Sequence, residues 1–224
     1  MASINQVVSE IAHSIRQFDS VPVRRGVEAS IYHNFAKLIR ESYERHGFTN
    51  RSLIQKFRVE LINVPDGDLK VDYPENVGFI NKRSKIRVPK PIRLTNNNPF
   101  TSVRTLGSDN PISIPFVREF SSAFYSALPG FPNVPKYDYQ NGYLYLYGID
   151  SDYSQIENVI IEAPFEIPNE VLMETKDKEF TFDKDDMFLI PEDMVEDIKI
   201  LVLKQFNPDV IRDTSEIENA TLVK

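Results

Sequence analysis

Residues 135–150, PKYDYQNGYLYLYGID, leave the chain little freedom. Asn141 and Gly142 stand between two runs of alternating polarity, and both tolerate the positive φ that a two-residue type I′ hairpin turn demands. Such a turn fixes the register. Gln140 is predicted opposite Tyr143, Tyr139 opposite Leu144, Asp138 opposite Tyr145, and Tyr137 opposite Leu146. One face then carries Tyr137, Tyr139, Leu144 and Leu146, and is predicted to be core. The other carries Lys136, Asp138 and Gln140 beside Tyr143, Tyr145 and Tyr147. A slip of one residue would exchange the two sets.

Five of the ten tyrosines fall within these eleven positions, 137–147. A tyrosine has an apolar body and a wet tip, so the second face suits burial against another protein. On the simpler alternative its rings only brace the hairpin, at about 0.2–1 kcal/mol per cross-strand pair. A sugar platform or a base-stacking surface is a further alternative.

The flanking sequence changes period twice. Ile4, Val7, Val8, Ile11, Ile15 and Phe18 recur at helical spacing, and Ser3 with Gln6 forms a capping-box pattern. Pro22 is expected to break this helix. A second helix is predicted over 27–46, with Val27, Ile31, Phe35, Leu38 and Ile39 inward and Gly47 as its stop. In FRVELIN, Phe57, Val59 and Leu61 alternate with charges, which reads as a half-buried strand, and VPDGD after it is a turn. Further strands are predicted at 77–81, 85–88 and 102–106, and in NVIIEAPF. Phe116, Phe120, Phe124 and Leu128, four apart, predict an internal helix over about 116–128. Pro191, Glu192 and Asp193 suit the start of a last helix, with Met194, Val195, Ile198, Leu201 and Val202 on its apolar side.

The expected fold is therefore α+β. An N-terminal helical hairpin (1–48) and a C-terminal helix (191–206) are expected to pack beside a small antiparallel β-rich body (49–190). Residues 207–224, polar and without periodicity, are expected to be a mobile acidic arm.

Chemistry is sparse along the chain. There is no cysteine, which excludes disulfides, thiolate metal sites and cysteine nucleophiles. His13, His33 and His46 lie in the two N-terminal helices at spacings that fit no metal motif, and no glycine-rich phosphate loop occurs. In DSDYSQIE, Asp150, Asp152 and Ser154 resemble the start of a calcium loop, but Gln155 stands where glycine is needed and Ile161 where the closing glutamate is needed. Asp183, Asp185 and Asp186 read as a solvated turn. No cofactor and no metal are therefore expected, and no two carboxylates single themselves out as a catalytic pair. The N-terminal stretch is too interrupted by polar residues for a signal peptide, and no apolar run approaches the roughly 20 residues of a membrane span.

Charge is the other asymmetry. The net charge is −7. Residues 1–112 carry 17 Lys and Arg against 11 Asp and Glu; residues 113–224 carry 9 against 22. A molecule with opposite poles can associate with copies of itself. The basic run NKRSKIRVPKPIR places Lys82, Arg83, Lys85, Arg87, Lys90 and Arg93 together without an acid. It could touch phosphates, blunt an edge strand, or meet an acidic protein surface such as the chain's own second half. It lacks the interleaved aromatics that single-strand binders use.

The succession YDYQNGYLYLYG, IENVIIEAPFEIP and FLIPEDMVEDIKILVLKQF resembles the head–tail connector, or ring, proteins of tailed bacteriophages, in particular those of crAss-like podoviruses. The residues that carry the resemblance are Asn141, Gly142, Tyr143 and Tyr145; Phe165 and Pro168; and Ile190, Pro191, Glu192, Asp193, Met194, Ile198, Lys199, Leu203 and Lys204. It covers roughly residues 110–206. The resemblance implies a virion structural protein, assembled in the host cytoplasm, that forms an oligomeric, typically twelve-fold ring below the portal. Such a ring lines the DNA channel, touches passing DNA, and docks portal or neighbouring neck and tail proteins. It carries over no catalytic residue. The candidate interface residues are then Tyr143, Tyr145, Tyr147, Lys82, Arg83, Lys85, Arg87, Lys90 and Arg93. A receptor- or glycan-binding virion component and a hydrolase with an unrecognised carboxylate pair are the rival readings.

Overall fold

The computed structural model describes residues 3–17, 20–65, 68, 80–94, 98–106, 111–117, 135–148, 155–171, 185 and 190–206. The chain divides into two compact units, residues 1–48 with 166–224, and residues 49–165.

Among the described residues the first unit holds three helices: α1 (Ile4–Ser14), α2 (Val21–His46) and α3 (Glu192–Phe206). Ser3 Oγ accepts from Gln6 N at 3.1 Å, so half of the expected capping box forms, while the Gln6 side chain donates to Glu10 instead. α1 ends in a double hydrogen bond: Gln17 N donates to Ala12 O and Arg16 N to His13 O. Arg16 takes the left-handed position, φ 56°, that glycine usually fills. Ile4, Val7, Val8 and Ile11 of α1, Val27, Ile31, Phe35 and Ile39 of α2, and Val195, Ile198 and Val202 of α3 are buried. Polar clamps join the same helices: Lys199 to Glu10 at 2.7 Å, and Arg24 to Ser9 at 2.9 Å.

Pro22 does not separate α1 from α2. It sits in the first turn of α2, where its missing N–H costs nothing, so the helix begins at Val21 rather than at 27. Gly47 ends α2 in the left-handed conformation, φ 75°, as the sequence predicts.

The second unit is a six-stranded antiparallel sheet in the order β3-β6-β1-β2-β5-β4. Its strands are β1 (Gln55–Asn63), β2 (Ile80–Ser84), β3 (Ser102–Thr105), β4 (Lys136–Gln140), β5 (Tyr143–Tyr147) and β6 (Asn158–Ala163). β1 is shared along its length: residues 55–60 pair with β6 and residues 61–63 with β2.

One segment then ties both edges. Thr105 N donates to Ile112 O and Ile114 N to Val103 O on the β3 side. Val117 N donates to Tyr137 O and Tyr137 N to Pro115 O on the β4 side. Residues 112–117 thus close the sheet on itself, which removes the exposed edges that invite pairing with other chains. The outward amide of Tyr139, also on the β4 edge, is taken by the Asp138 carboxylate at 2.7 Å.

The register defines one inner face. Phe57 lies opposite Ile161 and Val59 opposite Val159, with Val103 beyond them; Leu61 lies opposite Ser84; Tyr137 lies opposite Leu146. These side chains are all buried. The outer face of β1 is wet, with Lys56, Arg58 and Glu60 exposed.

Two expected strands, 77–81 and 85–88, resolve into one, β2, which straddles them. Lys85–Val88 alternate like a strand, but after Ser84 the chain leaves the ladder and makes single hydrogen bonds, Lys85 N to Glu60 O and Val88 N to Gly142 O. Residues 77–79 lie outside the described residues. So does the predicted internal helix beyond Val117, and its first two residues are extended beside β4. The apolar spacing of Phe116 is met there by a ring contact with Tyr137 at 5.5 Å. The 207–224 arm also lies outside the described residues.

Candidate interaction site

The Asn-Gly turn forms as its chemistry requires. Asn141 has φ 53° and Gly142 φ 83°. All four predicted pairs are present, and a fifth, Lys136 opposite Tyr147, continues the ladder. β2 then adds the basic run to this hairpin, with Arg83 opposite Tyr145 and Lys82 opposite Leu146. Asp138, Tyr145 and Arg83 consequently stand in one row across three strands, on the outer face.

That outer face is not open. Tyr145 is 2% exposed, Tyr147 3%, Asp138 5% and Lys136 3%. The expectation of a mixed, exposed tyrosine surface is therefore corrected for Tyr145 and Tyr147, which are buried inside the subunit. The physical reason is that polar partners cover them. Asp68, in the turn after β1, receives the Tyr145 hydroxyl at 3.1 Å and Arg83 Nη1 at 2.6 Å. The Tyr147 hydroxyl donates to Asp138 at 3.4 Å, and Gln140 donates to the same oxygen at 2.9 Å. A buried hydroxyl is tolerated when it is bonded. Asp68 is a part of this network that sequence reasoning missed, because VPDGD reads as a turn and nothing more. The sequence puts Asp138 on this face opposite Tyr145, but as part of a surface for another protein rather than as a partner of Tyr147 within the subunit.

The electrostatics follow. Burial, then the Asp68 charge and hydrogen bond, push the Tyr145 phenol up to about 12. Burial also raises Tyr137 and Tyr32, and lowers Lys136. An unfolded tyrosine ionises near pH 10. The unfolded chain therefore loses the Tyr145 proton first, and its contribution to stability, complete below pH 10, disappears as pH rises towards about 12. Ultraviolet titration is expected to show Tyr145 ionising late, and Tyr145→Phe is expected to remove that late step. A phenol titrating at 10 in the wild type but absent from Tyr145→Phe would contradict the buried assignment.

What remains at the surface is the tip of the hairpin. Tyr143 is half-buried, with Arg83 over its ring at 4.3 Å and Arg87 at 5.9 Å from the centroid. Lys85, Arg87, Lys90 and Arg93 are exposed; Lys85 holds Glu60 at 2.8 Å. Lys82 is half-buried and donates to Ile156 O at 2.7 Å. The basic run thus divides into half-buried residues, Lys82 and Arg83, and exposed ones.

The other candidate chemistry does not converge. His13, His33 and His46 are exposed on α1 and α2. Ile161, where a calcium loop would need a carboxylate, is buried in β6. Among the described residues, no group of three or more His, Asp or Glu side chains could hold a metal ion, and no helix is long and apolar enough to cross a membrane.

This cluster can hold charge and stack rings; it offers hydrogen bonding and cation–π contact. The chain belongs to the crAss ring-protein family described as phage tail ring protein 2, whose profile matches residues 6–221. It is a virion structural component of a phage, a ring subunit that assembles with other phage components. No curated protein matches the sequence closely enough to count as a relative.

Proposed function

We propose that this ring lies in the head–tail connector of the virion, below the portal, and lines the channel through which DNA leaves. Twelve copies form it, in the host cytoplasm, and its work is structural rather than catalytic. The observation that carries the reading is family membership over residues 6–221. The hairpin and terminal-helix residues on which the resemblance to connector proteins rests support it. A glycan platform would need a row of open rings, and Tyr145 and Tyr147 offer none.

The test is electron cryomicroscopy of virions, reconstructed without imposed symmetry, with a small tag on this chain to identify its density. A tagged twelve-fold ring between portal and tail is expected. A tagged ring elsewhere in the tail, or one of another symmetry, would overturn the position or the copy number respectively.

A further inference from the structure

We infer that neighbouring copies in the ring meet hairpin tip to helix: Arg87 and Tyr143 of one copy dock on the acidic outer face of α3 of the next, at Asp193, Asp197 and Ile200. This rests on the ring-subunit reading and says which surfaces make the ring.

The tip is pre-organised for such a contact. Val88 N donates to Gly142 O at 2.8 Å, which fixes the segment bearing Arg87 against the turn. The Arg87 stem lies over Gly142, so close that a Cβ added there would meet its Cγ and Cδ at 3.7 Å. Arg83, anchored to Asp68, lies over the Tyr143 ring at 4.3 Å. A guanidinium already held in place loses little freedom on binding, so more of the interaction survives as affinity. Arg87 itself is exposed.

The partner surface is complementary in charge and in apolar character. On α3, Val195, Ile198 and Val202 face inward. Asp193, Asp197 and Ile200 follow one another at helical spacing on the other side, all exposed, and Ile200 keeps 49% of its surface. An exposed isoleucine one turn beyond two carboxylates matches a tyrosine beside an arginine. Both patches occur once in every copy and they differ, so the contact is head-to-tail. Such a contact generates a ring when its rotation closes. With the sheet edges tied by residues 112–117, this side-chain contact replaces strand addition as the means of association.

Charge reversal is the test. Arg87→Glu is expected to lower incorporation of the subunit into virions by about tenfold, and Asp197→Arg to do the same. The two together in one chain are expected to restore it, since each interface again joins opposite charges. The free Arg87→Glu subunit should melt with the wild type, because Arg87 is exposed. Wild-type incorporation of either single variant, or no restoration by the pair, overturns the contact.

The absence of cysteine provides a second arm that does not depend on folding margins. Arg87→Cys with Asp197→Cys, treated in virions with a short bis-maleimide, is expected to give a ladder of covalent multimers, and neither single variant should. A link within one copy, or none, overturns the proposal. Multimers from a ring outside the neck would keep the contact and remove the neck position. No multimers from a ring inside the neck would do the reverse.

Discussion

Tyr145→Ser and Leu144→Ala are expected to destabilise the subunit by comparable amounts, although their side chains leave β5 on opposite faces. Leu144 is fully buried on the inner face, where truncation costs the transfer of the lost atoms plus a cavity, about 2–5 kcal/mol. Tyr145 is 2% exposed on the outer face. Its loss removes a buried ring, about 3–5 kcal/mol by analogy with other aromatic truncations. It also takes one hydrogen-bond donor from Asp68. Chemical denaturation of the two variants beside wild type measures both. Tyr145→Ser with wild-type stability would mean that the outer face is wet, and the covered network would have to be abandoned. Tyr145→Phe separates the parts: the ring stays, so it should cost only the hydrogen bond to the charged Asp68 carboxylate, about 1.5–3 kcal/mol.

The contrast shows what a sequence of this kind discloses. The hairpin register was legible because two residues with positive φ impose it locally. The helix periods were legible for the same local reason, and so was the glycine stop at Gly47. Burial of the second hairpin face was not legible, because it depends on Asp68, 77 positions before Tyr145, folding back onto Tyr145 and Arg83. Alternation told inner from outer face, but not whether the outer face was covered. Closure of the sheet was equally hidden. Residues 112–117 carry no strand pattern, and they pair with β3 and β4 one or two bonds at a time. The basic run was visible as charge, yet its division into half-buried Lys82 and Arg83 and exposed Arg87 needed β2 to pair with β5. The stop of α1 at Arg16 was missed because an arginine there advertises none of the conformational freedom that glycine would.

Asp68→Ala is expected to cost about 3–5 kcal/mol, because it strands a charge. Arg83 Nη1 meets the Asp68 carboxylate at 2.6 Å, with side chains 17% and 5% exposed. Arg83 Nε is already buried with no hydrogen-bond partner among the described residues. Removing the carboxylate leaves the guanidinium over Tyr143 and under cover, where water replaces the lost partner poorly. The pair need not be a large net source of stability, since burying both charges is itself costly. What is costly is breaking it, and Arg83→Met in the Asp68→Ala background is therefore expected to recover part of the loss. Denaturation of the two singles and the double closes a mutant cycle that isolates the coupling. A strongly non-additive result is predicted; simple additivity, or an Asp68→Ala variant within about 1 kcal/mol of wild type, would show that Arg83 is solvated after all. The same variant carries a spectroscopic signature. Its Tyr145 phenol should titrate below the about 12 of the wild type while staying above an exposed tyrosine, because the Asp68 charge is lost and burial, the larger cause, remains. Finally, Arg83 holds one side of the Tyr143 ring. Asp68→Ala subunits that still fold should thus join rings less well than their residual stability alone would predict, since the tip that meets the next copy has lost its anchor.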